Sequence, residues 1–140
     1  MKINPYLSFN GNCKAAFEFY ADCLHGHIDA MFTHGESPMA DQADPAMREQ
    51  IMHAQLTIDG QVLMGGDCPP QFMEKPQGFS VAINLDNTEE AARIFSALAE
   101  GGQISMPLEE TFWALSFGMV TDRFGTPWMV NCPQPECGPA

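Results

Sequence analysis

Apolar and polar positions along the chain change period twice, in the same order each time. Residues 3–9 are short, apolar and rich in strand formers, and Asn10-Gly11-Asn12 closes them with turn chemistry, which predicts a strand. From Cys13 onward Ala16, Phe17, Phe19, Tyr20 and Leu24 recur at three- and four-residue steps. With Asn12 as N-cap and Gly26 where a helix would stop, this is an amphipathic helix of about three turns. Residues 28–33 read as a second strand. The stretch GESPMADQADP (35–45) is polar, acidic and broken by two prolines, so an exposed, mobile loop is expected there. Residues 51–58 and 61–64 then flank Asp59-Gly60, a strong hairpin signal.

After the connection CPPQFMEKPQG the order begins again. Residues 79–85 are strand-like, and Asp86-Asn87-Thr88-Glu89 supplies a turn and cap. Ala91, Ala92, Ile94, Phe95 and Leu98 mark a second helix ending at Gly101-Gly102. Strands over 103–106, 113–121 and 127–132 follow. A shift of 76 places Ala15, Ala16, Phe19, Ala21, Gly26 and Ile28 on Ala91, Ala92, Phe95, Ala97, Gly102 and Ile104. A shift of 65 places Gly60 on Gly125 and Met64 on Met129, the longer loop of the first half accounting for the change. Two βαβββ units are therefore expected, the first about 1–68 and the second about 78–133, in one α+β domain. A period near 76 is too long for a solenoid.

Composition narrows the partners. The 140 residues carry six Lys+Arg against eighteen Asp+Glu, a formal charge of −12. Such a surface repels phosphate backbones and anionic lipid, so neither nucleic acid nor membrane is an expected partner. At 45% hydrophobic composition the chain can bury a core without disulfide or metal. Five cysteines, Cys13, Cys23, Cys68, Cys132 and Cys137, form no C-x-x-C pair, which fits a reduced, cytoplasmic setting better than a secreted one. The N-terminus has no long apolar stretch of signal-peptide type. Ten methionines are a surplus.

The paired units, with FEFY in the first helix and Asp122 and Gly125 in the turn before the last strand, resemble the vicinal oxygen chelate superfamily of glyoxalase I, bleomycin and fosfomycin resistance proteins and extradiol dioxygenases. Within it, PYLSFNGNCKAAFEFY, IMHAQLTIDGQVLMGGD and FWALSFGMVTDRFGTPWMV resemble the PhnB-like subfamily. The resemblance runs from about Ile3 to Cys132. It implies two curved half-barrel sheets with helices outside (the glyoxalase/bleomycin resistance/dioxygenase fold), each forming a cavity, and a homodimer. It also implies a divalent ion held by His and Glu, one ligand near the middle of the first and last strand of each module. Carried over one at a time, those positions are Asn4 or Pro5, Met64, Ser80 and Met129. None is a customary ligand for a hard or borderline ion. No cofactor is therefore expected. Met64 and Met129 stand at equivalent places in the two halves; thioethers suit Cu(I), and packing is the more ordinary use of such methionines.

Other candidates come from the residues. On the strand at 51–58, a period of two puts Ala54, Leu56 and Ile58 toward the helices and leaves His53, Gln55 and Thr57 on the concave side. There an imidazole beside an amide can bind an anion or move a proton, and His53 is the candidate catalytic residue. His25, His27 and His34 read as surface residues. Asp67, after Gly65-Gly66, orients a polar ligand or caps a turn. Trp113, with Phe112 and Phe117, opens a strand facing a cavity or a partner, and Trp128 begins the last strand; either packs a core or stacks on a planar ligand. Glu109 and Glu110, being adjacent on a strand, point apart and do not share a site. Cys13 at a helix start is the thiol most open to a lowered pKa. Cys132 and Cys137 look incidental. There is no glycine-rich loop after a strand to cradle a nucleoside, so methyl transfer, a label carried by relatives of the subfamily, is not expected.

The first reading is a PhnB-like protein that binds a small, largely apolar or aromatic molecule through His53, Gln55, Met64, Asp67, Trp113 and Met129 without the usual metal. The alternatives are a divalent-metal lyase or dioxygenase-type enzyme anchored on His53 with atypical ligands, and a ligand-free structural dimer.

Overall fold

The described residues, 1–135 of a computed structural model, run strand, helix and three strands twice over. The first unit, Met1–Glu74, contains β1 (Tyr6–Phe9), α1 (Cys13–Leu24), β2 (His27–Thr33), β3 (Ile51–Ile58) and β4 (Gln61–Asp67). The second, from Lys75, contains β5 (Val81–Asn84), α2 (Thr88–Ala99), β6 (Gln103–Glu109), β7 (Ala114–Thr121) and β8 (Pro127–Pro133). Each builds a four-stranded sheet of the same order, β1-β4-β3-β2 and β5-β8-β7-β6. In both, the first strand lies parallel to the last and the other pairs are antiparallel. The expected α+β pair of βαβββ modules is the fold observed.

One face of each sheet carries its helix, and alternation decides which residues go there. Leu7, Phe9, Ala54, Leu56 and Leu63 are buried with Ala16, Phe17 and Tyr20 in the first unit. Val120, Trp128, Val130 and Cys132 are buried with Ile94, Phe95 and Leu98 in the second. A close approach of helix to sheet needs a residue without a side chain. A Cβ on Gly65 would lie 2.8 Å from both the Leu7 carbonyl and the Phe17 ring, and one on Gly118 would lie 2.8 Å from the Phe95 ring. Gly65 pairs with Ala54 across β4 and β3, whereas Gly118 pairs with Val130 across β7 and β8. The same gap is thus opened from opposite strands in the two units.

The structure revises several details of the pattern. Burial aligns Ala16, Tyr20 and Cys23 with Ala91, Phe95 and Leu98, an offset of 75. The first strand of each unit keeps 76, because Tyr6 stands beside Met64 as Ala82 stands beside Met129. The helix identities at 76 therefore match buried with exposed positions; alanine recurs too often in helices to define a register. The residue in the left-handed conformation after α1 is His25 (φ 55°), not Gly26, and Asn12 makes no side-chain cap, whereas Asn87 accepts from the Glu90 amide at 3.0 Å. The 35–45 stretch is fastened rather than loose. His34 and Gly35 amides donate to the Gln50 and Arg48 carbonyls at 3.0 and 2.9 Å, and three single-turn 3-10 helices fill His34–Met47 with Ser37 and Met47 buried. Proline and acidic residues speak against longer elements but not against such short turns. Cys132 is fully buried on β8, so it is a core residue; Cys137 lies outside the described residues.

Candidate functional site

The face of the first sheet away from α1 is where β1, β3 and β4 bring the predicted side chains together. The period of two on β3 leaves His53, Gln55 and Thr57 partly exposed while Ala54 and Leu56 are fully buried. Gln55 stands directly opposite Met64, and Met64 opposite Tyr6, so these three form one row across three strands. His53 lies between two aromatic rings. Tyr6 stacks on it with centroids 6.0 Å apart and planes at 29°, and Phe32 approaches from β2 at 5.9 Å and 45°. The Tyr6 hydroxyl reaches across Gly66, where a Cβ would lie 2.8 Å from it, and donates to the Met52 carbonyl at 3.4 Å. Burial, and to a smaller extent the Cys13 charge, pushes the Tyr6 phenol above its ordinary value, so it stays protonated. Tyr6 and Phe32 were not singled out from sequence, although the alternation of β1 already turned Tyr6 to this face.

Asp67 belongs to a different construction. Its carboxylate is buried and accepts three backbone amides: Gly11 at 2.9 Å and Cys13 at 3.0 Å on one oxygen, and Ile51 at 2.8 Å on the other. This supplies the N-terminal cap that Asn12 does not. Of the two sequence readings of Asp67, the geometry gives the cap. A recess of about 490 Å³ opens beside it, bordered by Gly11, Lys14, Glu36, Glu49, Gln50 and Asp67. The Glu36 carboxyl there is held below the ordinary carboxylate range by hydrogen bonds from the Thr33 amide and hydroxyl. Cys13 reverses its expectation: burial and then the Asp67 charge push its thiol up to about 12. The helix N-terminus does not win, because burial disfavours the thiolate and the capping carboxylate adds a like charge. His34, expected at the surface, has its Nε2 buried without a hydrogen-bond partner.

Met129 and Trp113 lie in the second unit. Met129 is on the sheet face away from α2, opposite both Met119 and Ala82. Trp113 precedes β7 and makes edge contacts with Phe112 at 4.8 Å and Phe117 at 5.4 Å. Trp128 is not available for stacking; it is 1% exposed and donates its indole N–H to Asp122 at 2.8 Å.

The open faces also test the superfamily's metal. Asn4, Pro5 and Ser80 precede the strands, and the residues in register with Met64 and Met129 are Tyr6 and Ala82. The thioethers and the Ala82 methyl offer nothing to a hard or borderline divalent ion, and the Gln55 carbonyl and His53 imidazole on this face are joined by no carboxylate among the described residues. Among the described residues, no three of His, Cys, Asp and Glu converge to hold one. The residues present do not fit that ion.

The profile of a family described as 3-demethylubiquinone-9 3-methyltransferase matches residues 1–131. The chain belongs to this PhnB-like family. It is 37% identical to protein YjdN of Escherichia coli, over 94% of this chain and 95% of that one. Among solved structures it is similar to protein PA1353 from Pseudomonas aeruginosa (48% identity, TM-score 0.88, 96% of this chain and 98% of that one). It is also similar to a PhnB protein from Bacillus cereus (27%, TM-score 0.77, covering 94% and 98%). The fold alone extends to FosX, a fosfomycin resistance protein from Listeria monocytogenes, at 10% identity and TM-score 0.66, covering 97% and 95%. The PhnB-like chain is thus a member of the vicinal oxygen chelate fold. The methyl transfer in the family's description calls for a nucleoside-type donor, which a strand–helix junction with free backbone amides can cradle. At the β1–α1 junction the amides of Gly11 and Cys13 are held by Asp67, and at the β5–α2 junction Asn87 occupies the Glu90 amide, so neither junction leaves a cradle.

Proposed function

We propose that this PhnB-like protein binds a small, largely apolar or aromatic molecule on the open face of the first sheet, without a divalent metal. The observation that carries the reading is the stack of Tyr6, His53 and Phe32, with centroids near 6 Å, beside the row of Tyr6, Met64 and Gln55. Flat rings offer a stacking surface at low entropic cost, and Met64 adapts to an irregular apolar outline. Gln55 gives one donor and one acceptor to orient a polar substituent. His53 carries the imidazole of this group, held between two rings, which makes it the candidate for any catalysis. Met129 and Trp113 offer a second apolar surface in the other unit. Thiols rather than disulfides at Cys13, Cys68 and Cys132 suit a cytoplasmic protein, a homodimer is the proposed assembly, and the −12 charge disfavours nucleic acid. Among the described residues, no helix is long and apolar enough to cross a membrane.

The test is a thermal-shift and calorimetric screen of planar aromatic and apolar compounds against the wild type, Tyr6→Ala and His53→Ala. A ligand that raises Tm and loses at least tenfold in affinity in both variants supports the reading. Stoichiometric zinc, nickel, manganese or iron in the purified protein, lost on His53→Ala, overturns it in favour of a metal enzyme.

A further inference from the structure

The second sheet carries a feature that the first lacks. On its open face Met106 of β6 stands opposite Met119 of β7, which stands opposite Met129 of β8. Three methionines thus occupy one row across three adjacent antiparallel strands. The corresponding row of the first sheet is Ala30, Gln55 and Met64. Met106 reaches the row through a bulge. Ile104 faces Val120, the register then slips by one residue, and Met106 rather than Ser105 faces Met119, with a second irregularity before Glu109. Bulges are a common device for re-aiming a side chain. None of the three is sealed into the core: Met106 is 44% exposed, and Met119 and Met129 are half-buried.

We propose that Met106, Met119 and Met129 form a thioether site for a soft monovalent cation, Cu(I), on the open face of the second sheet. Neighbouring strands lie about 4.8 Å apart, so the two outer methionines flank the central one within reach of a shared point. Each side chain has three rotatable bonds and ends in a polarisable sulfur, which lets three sulfurs converge without backbone movement. Neutral thioethers select Cu(I) over the harder divalent ions that prefer imidazole and carboxylate. The formal charge of −12 raises the local concentration of any cation. It shares Met129 with the second apolar surface of the proposed function but uses no residue of the first sheet, so the test of that function on Tyr6 and His53 does not decide it.

The experiment uses Ag(I) as a redox-inert probe on the full chain with Cys68 and Cys137 replaced by serine and its methionine ε-methyl groups labelled with ¹³C. The expected result is that three ε-methyl resonances, assigned by Met106→Leu, Met119→Leu and Met129→Leu, shift together and saturate at one Ag(I) per chain. Leucine keeps the apolar volume, and an unchanged Tm shows that each variant is folded. Met119→Leu is expected to weaken binding at least tenfold and the triple variant to abolish the shared shift, while Met73→Leu changes nothing. Silver uptake that leaves these three methyl signals in place, or that survives in the triple variant, overturns the proposal, as does the absence of uptake.

Discussion

Replacing Asp67 by alanine tests the fastening at the heart of the first unit. The carboxylate holds the turn before α1 through Gly11, the first turn of α1 through Cys13, and the first residue of β3 through Ile51. Two of those amides, Cys13 and Ile51, are buried, so alanine strands them where water does not replace the acceptor. A hydrogen bond to a charged group contributes about 1.5–3 kcal/mol and a stranded buried donor costs about 1–3 kcal/mol. Because Gly11 is only partly buried and is rehydrated, the two buried donors dominate, and the expected loss is about 3–5 kcal/mol. Asparagine keeps one acceptor oxygen for Gly11 and Cys13 but turns an N–H toward the Ile51 amide, and should lose about 2–3 kcal/mol. For a chain of this size the alanine loss corresponds to a Tm drop of roughly 10–20 °C. Urea denaturation, read together with amide hydrogen exchange at Gly11, Cys13 and Ile51, gives both the magnitude and its location. A loss below about 1 kcal/mol for Asp67→Ala, or an Asp67→Asn variant as stable as the wild type, would refute the fastening role.

Four further outcomes follow from the same structure. Alkylation at pH 8 should modify half-exposed Cys68 and spare Cys13, whose thiol is buried and pushed up to about 12. Because the unfolded thiol ionises near its ordinary 9.0 and the folded one does not, Cys13 leaves stability unchanged below pH 9 and lowers it as pH rises from 9 toward 12; Cys13→Ala should remove that alkaline loss in pH-dependent urea titrations. Gly65→Ala puts a methyl 2.8 Å from a backbone carbonyl and from Phe17, and should cost about 1–3 kcal/mol by overpacking, measured by thermal melting. Gly60→Ala meets no neighbour within 4 Å but keeps a φ of 77°, so its cost should be limited to about 1–2 kcal/mol of backbone strain; a Gly60 loss larger than that of Gly65 would contradict the packing account.

Much of the fold was legible because it rests on local periodicity. The alternation around His53 and the Asp59-Gly60 turn could be read directly, and the turn has φ of 48° and 77° as a tight hairpin requires. The doubled order of elements led to the family from three motifs. What escaped was whatever depends on contacts distant in sequence. Asp67 caps a helix more than fifty residues away, and no spacing rule links it to Gly11 or Cys13. Burial, and after it the same carboxylate, inverts the expectation for Cys13. His53 was placed on the correct face, but its two aromatic neighbours come from β1 and β2, whose register with β3 a periodicity does not determine. Asn12 and Gly26 satisfied the residue preferences for helix ends, yet the cap fell to Asp67 and the left-handed residue to His25. Of the row of three methionines only Met129 stood out in the sequence; the pairing with Met119 and the bulge that adds Met106 leave no mark in the pattern.

The strand order β5-β8-β7-β6 bears on how the chain is made. β8 occupies an interior place in its sheet yet is the last of the described strands to leave the ribosome. Until it emerges, β5 has no partner and β7 has one flank of its hydrogen-bonding groups unpaired, with Val120 and Ile94 lacking the cover that Trp128 and Val130 later give. The first unit meets the same demand earlier, since β4 closes its sheet by Asp67. A nascent chain of this protein therefore carries one finished half and one with open edges, and the interval before β8 is synthesised is when edge-to-edge association with another nascent chain is most favoured.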